Sequence, residues 1–246
     1  MKIFMDSADC REIEKWMLQG VVDGVTTNPS IMLKDGVYDI EEGARRISSL
    51  LGERPLSVEV TTNDPEEMIR QGRTLASWAP NIAVKIPIVN EDGESCLGAI
   101  STLNAEGIRV NSTAILSFNQ AVLAAKAGAT FVSIFAGRVA DEGNDPAIVI
   151  GNVRRWLDDW EYPAEIIVGS IRTVMDIQNA ALAGAHIITI PPQFLPKMVD
   201  HKYTRETVRQ FNRDAEKALT EIAEFRNLAA RSPVSAGNKA ESAGGA

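Results

Sequence analysis

The sequence predicts an α/β fold, a single (β/α)8 barrel with an extra C-terminal helix. Eight short apolar runs recur at intervals of roughly 20–35 residues, and a helical pattern follows each run. Strands that alternate with helices pair in parallel through right-handed crossovers. Eight such strands close most simply into a barrel, and an open, doubly wound sheet is the structural alternative.

Capping residues place the first helices between the strands. The first three predicted strands are residues 2–6, 24–27 and 56–60. Asp9 is the expected cap of the first helix, because an aspartate side chain accepts hydrogen bonds from the free N–H groups at a helix start. Pro29 stops the second strand, and Asp39 and Asp64 are expected to cap the two helices that follow.

The fourth strand, residues 81–88, carries one lysine, Lys85, among aliphatic residues. Pro87 biases its predecessor toward an extended backbone and ends the strand nearby. A buried lysine is costly unless it is paired or neutral, and desolvation favours the neutral amine, which is the nucleophile. The alternative is a lysine at a strand end whose long side chain reaches solvent. The polar residues of the other strands decide between these two interpretations.

The second half of the chain repeats the pattern. Its predicted strands are residues 107–112, 130–135, 165–169 and 186–190. Ser117 with Gln120 predicts a capping box, and Asp145 and Thr173 are expected to cap the next two helices. Ala-Ala-Lys-Ala-Gly-Ala before the sixth strand resembles Ala-Ala-Leu-Ala-Gly-Ala before the eighth, and each glycine fits a helix C-terminal cap. This internal similarity supports a repeated unit.

Residues 1–231 are interpreted as one barrel domain, because no linker-like stretch interrupts the pattern. The domain includes a C-terminal helix at 204–228, with apolar residues such as Phe211 and Leu219 at helical spacing. Residues 232–246 are rich in Gly, Ala and Ser, a composition typical of disordered tails. We therefore expect this tail to be dispensable.

Composition argues against several classes of protein. A net charge of -8 over 246 residues does not fit a general nucleic-acid-binding protein. No apolar run approaches the roughly 18 residues of a membrane span, and the first residues do not resemble a signal peptide. Two cysteines far apart in sequence and two histidines argue against a disulfide framework and a typical zinc site. We expect a cytoplasmic protein without a metal.

Candidate site residues gather at the carboxyl ends of the predicted strands, where (β/α)8 barrels place catalytic groups. In chain order they are Asp6, Thr27, Asn28, Glu59, Lys85, Asn111, Thr113, Ser133, Phe135, Arg138, Ser170 and Arg172. Taken singly, such residues also serve as loop caps or solvated charges. Taken together they indicate a site, because a barrel interior that only packs would carry aliphatic residues at these positions.

This set of groups supports a specific chemistry. An amine beside carboxylates suits a Schiff base with a carbonyl substrate, and a carboxylate that holds a water beside a threonine hydroxyl can move the protons. A second base can deprotonate the hydroxyl next to the breaking carbon–carbon bond while the Schiff base stores the electrons as an enamine. Two arginines and a serine suit a phosphate or another oxyanion. The sequence has no glycine-rich phosphate loop or dinucleotide fingerprint.

Seven stretches of the sequence resemble the transaldolase family, specifically the small subfamily that also contains fructose-6-phosphate aldolase. They are Asp6, Gly24-Val-Thr-Thr-Asn-Pro-Ser30, Val58-Glu-Val60, Val84-Lys-Ile-Pro87, Asn111-Ser-Thr113, Ser133-Ile-Phe-Ala-Gly-Arg138 and Gly169-Ser-Ile-Arg172. They extend from the first predicted strand to the seventh, so the resemblance covers residues 1–225. The combination is specific, whereas Val-Lys-Ile-Pro alone would not be.

The resemblance implies a (β/α)8 barrel and a class I mechanism that needs no cofactor. Lys85 would form the Schiff base, and Asp6 would be the acid and base for carbon–carbon cleavage. Glu59 and Thr113 would hold the catalytic water. The implied substrate-binding residues are Thr27, Asn28, Asn111, Ser133, Phe135, Arg138, Ser170 and Arg172. Within that set, Arg138, Ser170 and Arg172 would bind the phosphate.

The implied reaction moves a dihydroxyacetone unit from sedoheptulose 7-phosphate or fructose 6-phosphate to glyceraldehyde 3-phosphate or erythrose 4-phosphate, in the pentose phosphate pathway. Small members assemble as pentamers or decamers, often through the C-terminal helix, so a homo-oligomer is expected. Glu59 and Phe135 favour transaldolase, since fructose-6-phosphate aldolases tend to have Gln and Tyr there. Ile134 and Ala136 stand where the family usually has proline and often has valine.

Three alternatives remain at this stage. The first is an aldolase that releases free dihydroxyacetone, and the second is a transaldolase for a ketose with another oxyanion, such as a sulfonate. The third is a barrel that has lost catalysis and serves as a scaffold, since one fold can host different functions. The third predicts that the lysine or an acid is missing, yet Lys85, Asp6 and Glu59 are all present.

Overall fold

The computed structural model describes residues 1–231 and confirms the predicted (β/α)8 barrel. Its strands are β1 (Lys2–Asp6), β2 (Gly24–Thr26), β3 (Leu56–Glu59), β4 (Ile82–Pro87), β5 (Val110–Ile115), β6 (Phe131–Phe135), β7 (Glu165–Gly169) and β8 (Ile187–Ile190). Each strand pairs in parallel with its neighbours in sequence, and β8 pairs with β1 to close the barrel. The structural alternative, an open, doubly wound sheet, is therefore wrong.

Helices follow the strands and surround the barrel. They are α1 (Cys10–Met17), α2 (Pro29–Lys34), α3 (Ile40–Leu51), α4 (Pro65–Trp78), α5 (Leu97–Ala105), α6 (Phe118–Lys126), α7 (Ala136–Asp141), α8 (Pro146–Asp159), α9 (Val174–Leu182), α10 (Leu195–Val199) and α11 (Lys202–Arg231). The short helices α2 and α7 were not predicted. Both begin within three residues of a strand end, in stretches with the proline or glycine of a loop.

Most predicted helix caps are confirmed. Asp9, Asp39 and Asp64 each accept a hydrogen bond from a backbone N–H of the first turn of α1, α3 and α4. Ser117 likewise caps α6, but the reciprocal half of its predicted capping box is wrong. The Gln120 side chain accepts from the N–H of Leu116 at 2.9 Å instead of that of Ser117. Each cap satisfies an N–H group that the helix itself leaves unpaired.

The fifth strand lies three residues later than predicted. Gly107 has a φ of +76° and ends the preceding helical turn, so the apolar residues after it lead into the strand instead of forming it. The strand continues to Ile115 through an irregularity between Ser112 and Ile115, where Ala114 has a φ of +58°. This extension places Asn111 beside Lys85 and Thr113 beside Pro87 in the register of β4 and β5.

The strands separate two apolar regions. A large core fills the space between the outer face of the barrel and the helices. A second, small cluster lies inside the barrel and consists of Phe4, Ala83, Phe131, Ile167 and Ile187. Because side chains alternate across a strand, the residues two positions further along each of these strands also face the interior, nearer the carboxyl ends.

The chain divides into two compact units, Met1–Met198 and a second that begins at Val199. The barrel forms the first unit. In the second, α11 confirms the predicted helix at 204–228 and extends it at both ends. Its apolar residues are exposed, including Phe211 and Phe225. The grouping of residues 1–231 in one domain stays a prediction, and the predicted tail 232–246 lies outside the described residues. None of the helices in residues 1–231 is long and apolar enough to cross a membrane.

Candidate active site

The upper half of the barrel interior is polar. Directly above the small apolar cluster, the inward positions are Asp6, Thr26, Ser57, Glu59, Lys85, Asn111, Thr113, Ser133 and Thr189. Most of these side chains are buried, and Asp6 and Glu59 are partly exposed at the mouth. Buried polar groups are costly unless they bond one another or a ligand. The bonds among them therefore define the site.

Lys85 lies in the polar interior and is buried, so its side chain does not extend into solvent as the alternative interpretation required. Only 7% of its surface is exposed. Its Nζ lies 2.8 Å from Glu59 Oε2 and donates to the Thr27 carbonyl oxygen at 3.3 Å. Glu59 and Lys85 are register partners on β3 and β4, which explains why their side chains meet. The ion pair makes the burial of the ammonium group tolerable and holds the amine at the middle of the barrel.

Asp6 ends β1 on the interior side, and the Thr26 hydroxyl donates to its Oδ1 at 2.8 Å. Burial raises the pKa of this carboxyl above its ordinary value. The hydrogen bond from Thr26 and the positive charge of Lys85 act in the opposite direction, but burial outweighs them. A raised pKa makes the carboxyl a stronger base and so favours its uptake of a proton during a reaction, as an acid–base catalyst requires.

The Thr113 hydroxyl is buried and has no hydrogen-bond partner within residues 1–231, a condition that it shares with Ser112. Ser112 precedes it on β5 and therefore faces the helices, whereas Thr113 faces the interior. A buried hydroxyl without a partner needs an explanation, and the common one is a bound water or ligand. Thr113 is thus the interior hydroxyl with free capacity to bind one.

A chain of hydrogen bonds runs through Ser133, Asn111 and Ser57. The Ser133 hydroxyl donates to Asn111 Oδ1 at 2.6 Å, and Asn111 Nδ2 donates to Ser57 Oγ at 3.0 Å. The three residues come from β6, β5 and β3, and all are buried. The chain holds the amide of Asn111 next to Lys85, with its oxygen accepting from Ser133 and its nitrogen donating to Ser57. A fixed amide is suited to orienting a polar substrate.

Thr27 and Asn28 use their side chains to shape the backbone around Lys85. The Thr27 hydroxyl donates to the Ser57 carbonyl oxygen at 2.8 Å. Asn28 Oδ1 accepts from the Ile31 N–H at 2.8 Å and caps α2. Both side chains are thus engaged by the backbone, Thr27 is fully buried, and its carbonyl oxygen contacts the lysine directly.

The predicted oxyanion-binding residues lie at the rim, around α7 and the end of β7. Ser170 follows β7 with a φ of +60°, and Arg172 comes two residues later. A side chain on Gly137 would begin 2.7 Å from Ser170 Oγ and 2.8 Å from Arg172 Nε, so only glycine permits this approach. Arg138, the next residue of α7, is exposed, and Phe135 is partly buried at the end of β6.

Arg172 is already engaged by a carboxylate, Asp141. Two hydrogen bonds join them, one of them 2.6 Å from Nη2 to Oδ2. The guanidinium of Arg172 holds the pKa of Asp141 below its ordinary value, with a smaller contribution from Arg138. Both partners are about half exposed. An oxyanion that binds Arg172 head-on would exchange places with the Asp141 carboxylate.

Comparison with known proteins identifies the family. The sequence model of the Transaldolase/Fructose-6-phosphate aldolase family matches residues 3–232. The chain belongs to this family. The probable transaldolase 2 of Listeria monocytogenes is 44% identical over 216 residues, covering 88% of this chain and 96% of the relative. The probable transaldolase of Dehalococcoides mccartyi is 41% identical over 214 residues, covering 87% and 97%.

Solved structures agree on the fold. A mandelate oxidase variant matches with a TM-score of 0.51 over 77% of this chain and 63% of its own, at 14% identity. So low an identity supports the barrel architecture alone. The expected resemblance to the transaldolase family is confirmed by the family match, and the protein is an enzyme of that family.

Sequence reasoning missed three interior hydroxyl groups of this transaldolase-family site, those of Thr26, Ser57 and Thr189. A signal for one of them exists. Ser57 lies two residues before Glu59 on the same strand, so with a period of two it shares the inward face. For Thr26 and Thr189 the sequence gives no comparable partner on the same strand. Gly137 and Asp141 were also missed.

Proposed function

We propose that the protein is a class I transaldolase. It would transfer a dihydroxyacetone unit from sedoheptulose 7-phosphate or fructose 6-phosphate to glyceraldehyde 3-phosphate or erythrose 4-phosphate, within the pentose phosphate pathway. The observation that carries the proposal is the buried amine of Lys85, 2.8 Å from the Glu59 carboxylate and in the same interior as Asp6. A lysine that only supported the fold would need its carboxylate partner but not a second acid, Asp6, in the same polar interior.

Schiff-base formation begins with a proton transfer. The Glu59 carboxylate takes a proton from the Lys85 ammonium, and the neutral amine attacks the ketose carbonyl carbon to give a carbinolamine. Glu59 returns the proton to the carbinolamine oxygen, which leaves as water. The unpartnered Thr113 hydroxyl supports this role, since it can hold that water beside Glu59 for the later hydrolysis.

Carbon–carbon cleavage uses Asp6. Its carboxylate accepts the proton of the substrate hydroxyl on the carbon beyond the breaking bond, the aldose phosphate leaves as an aldehyde, and the bonding electrons move into an enamine on Lys85. The enamine then attacks the acceptor aldehyde, and Asp6 gives its proton to the new hydroxyl. The raised pKa of Asp6 supports both halves of this cycle.

The remaining polar residues would orient the sugar. Asn111 and Ser133 are held by their hydrogen-bond chain, and Asn28 and Phe135 are partly exposed. Thr27 would act from a buried position beside Lys85. Arg138, Ser170 and Arg172 would bind the phosphate, with Arg172 exchanging its contact to Asp141 for the substrate. Another oxyanion, such as a sulfonate, fits the same arginines and is the substrate alternative.

Release of free dihydroxyacetone is the alternative reaction. Glu59 and Phe135 argue for the transferase, as the family resemblance implies. The exposed apolar residues of α11 support a homo-oligomer, a pentamer or a decamer, because such a surface is unusual in a monomer. We further propose a cytoplasmic enzyme that works without a cofactor and binds neither nucleic acid nor membranes.

Borohydride trapping tests the proposal. The purified protein is incubated with fructose 6-phosphate and reduced, and peptide mass spectrometry is expected to find a dihydroxyacetone- or ketose-derived adduct on Lys85. Lys34→Arg is the matched control, because Lys34 is an exposed lysine at the same mouth and its replacement should leave the adduct in place. An adduct that persists in Lys85→Arg would contradict the assignment.

Product analysis separates the two reactions. With fructose 6-phosphate and erythrose 4-phosphate, the transaldolase is expected to form sedoheptulose 7-phosphate and glyceraldehyde 3-phosphate. Without an acceptor, it should release little free dihydroxyacetone. Steady release at a rate equal to the transfer rate would instead assign the protein as an aldolase.

A further inference from the structure

Three side chains from adjacent strands form a line of hydrogen bonds that ends at Asp6. The Thr26 hydroxyl on β2 lies 2.8 Å from Asp6 Oδ1, and the Thr189 hydroxyl on β8 lies 2.5 Å from the Thr26 hydroxyl. Closure of the barrel between β8 and β1 brings them together across 163 positions of sequence. Thr26 and Thr189 are 3% and 6% exposed, so solvent has little access to the two hydroxyls.

Counting hydrogens fixes the direction of each bond. An ionised carboxylate only accepts, so Thr26 must give its single hydroxyl hydrogen to Asp6 when Asp6 is charged. Thr189 must then be the donor to Thr26. When Asp6 is protonated on the same oxygen, the order reverses: the carboxyl donates to Thr26, and Thr26 donates to Thr189. Both arrangements use the same positions of the oxygen atoms.

We propose that Thr189 is a positioning residue that acts through Thr26, and that the two hydroxyls form a reversible relay that serves Asp6 in both of its protonation states. The proposal rests on the proposed function, which assigns Asp6 as the acid and base of carbon–carbon cleavage. An acid–base group alternates between two states in every turnover. A partner that only donates would favour one of them, whereas a relay that reverses supports both.

The surroundings of Thr189 hold its hydroxyl in place. Its methyl carbon Cγ2 lies 3.3 Å from the position where a side chain on Gly169 would begin, so the methyl group packs toward β7 and the hydroxyl points away from it. Two residues earlier, Ile187 belongs to the apolar interior cluster. If packing alone determined position 189, valine would fill the same volume, so the hydroxyl requires a separate explanation.

Other charged groups around Asp6 do not depend on the relay. Lys85 faces it from β4, and Lys34 and Asp35 act on it from the end of α2. Asp9, which caps α1, and Glu12 of α1 line the same cleft. All of them stay in place when Thr189 is changed, so a change in the titration of Asp6 would report the relay. Loss of Thr189 weakens the hydrogen bond in both states, but it weakens the charge-assisted bond from Thr26 to the ionised carboxylate more than the bond of the neutral carboxyl, so the pKa of Asp6 rises.

The test compares the pH dependence of kcat/KM in Thr189→Val and Thr189→Ser. In Thr189→Val, the acidic limb of the profile is expected to shift to higher pH by about half a unit to one pH unit, the size of one modest hydrogen-bond effect. Thr189→Ser keeps the hydroxyl and should restore the wild-type limb. Ser112→Ala is the matched control, because it removes a buried hydroxyl that faces the helices and has no route to Asp6.

A second comparison uses Asp6→Asn as the background. The residual activity of Asp6→Asn should show no shift of its acidic limb when Thr189→Val is added, because the group that the relay serves is gone. An unchanged limb in Thr189→Val, or an equal shift in both backgrounds, would overturn the relay. A different outcome would contradict the proposed function. If Asp6→Asn kept full activity, Asp6 would not be the acid and base of the reaction, whatever the Thr189 variants do.

Discussion

The outer and inner faces of the same barrel strands have opposite chemistry. On β4, Val84 and Ile86 face outward into the core beneath the helices, while Lys85 between them faces inward to Glu59. Outward residues of the other strands, such as Val58 and Val168, are also aliphatic. A strand gives one face to each side, so these neighbours in sequence serve different purposes. The outer face stabilises the fold, and the inner face carries the chemistry.

The interior itself shows the same division along the barrel axis. Near the amino ends of the strands, Phe4 and Phe131 pack edge-to-face with ring centroids 6.1 Å apart. A side chain on Gly24 would begin 2.6 Å from the Phe4 ring, so glycine makes room for it. Above this apolar layer, the polar groups bond to one another. The apolar layer therefore closes the amino end of the barrel interior, and the polar residues nearer the carboxyl end are the ones available for the reaction.

The largest expected effect comes from removing the inward charge of β4. Lys85→Met should reduce transaldolase activity by at least about 10⁴-fold, because no Schiff base can form. The variant should remain folded, with a melting temperature within a few degrees of wild type, since the partner Glu59 is partly open to solvent. Calorimetry and a coupled activity assay check both parts. If this variant unfolded, the inner face of β4 would also be needed for stability, which would contradict the division between the two faces.

Ile86, the next residue on β4, faces outward, so its substitution is expected to reduce stability and to leave activity unchanged. Ile86→Ala deletes a fully buried outward side chain and should lower the free energy of unfolding by about 2–5 kcal/mol. Its kcat/KM per folded molecule should stay near the wild-type value, because the interior is unchanged. Denaturant unfolding and activity at low temperature measure the two quantities. A large loss of activity in the folded variant would show that the outer face also controls the site.

At the rim, Arg172→Ala should reduce kcat/KM for a phosphorylated ketose by about 10- to 100-fold, the effect of one charge-assisted contact. The loss should be much smaller for the unphosphorylated ketose, which does not use the contact. Arg73→Ala is the matched control, because Arg73 also forms a two-bond ion pair with a carboxylate, Glu106, on the outer surface. Equal losses on both substrates would mean that Arg172 supports the fold instead.

Local patterns were sufficient to predict most strands and caps. The strands 2–6 and 165–169 have the predicted bounds, and Asp39 caps its helix, because each depends on residues adjacent in sequence. The fifth strand was misplaced because Gly107 ends a helical turn within an apolar stretch. The φ of +58° at Ala114 carries no sequence signal, since alanine rarely adopts it.

The inward residues of the site followed from strand ends and their alternation. Contacts that depend on barrel closure did not follow. Thr26 meets Thr189 only because β8 returns to β1, a pairing that no local pattern specifies. The ion pair between Arg172 and Asp141 likewise depends on how α7 packs beside the end of β7. Sequence alternation thus identifies which residues face inward, and closure decides which of them bond.

The smallest effect is expected from Asp141→Asn, which leaves the interior intact and removes a competitor from the rim. Asp141 holds the guanidinium of Arg172 that would bind the phosphate, so each binding event must break that ion pair. Exposed ion pairs contribute little, and the KM for a phosphorylated donor should fall by up to about fivefold. The KM for an unphosphorylated ketose should not change.

Measuring KM at several salt concentrations tests the Asp141→Asn prediction further, because ionic strength screens exposed ion pairs more than buried ones. Raising the ionic strength should reduce the difference in KM between Asp141→Asn and the wild type. The buried ion pair of Lys85 and Glu59 should be affected much less. Asp158→Asn is the control, since Asp158 forms an exposed ion pair with Arg154 on α8. A rise in KM in Asp141→Asn would show that the carboxylate orients Arg172 for the phosphate instead of competing with it. The rim would then be preorganised by its own hydrogen bonds, as the interior is.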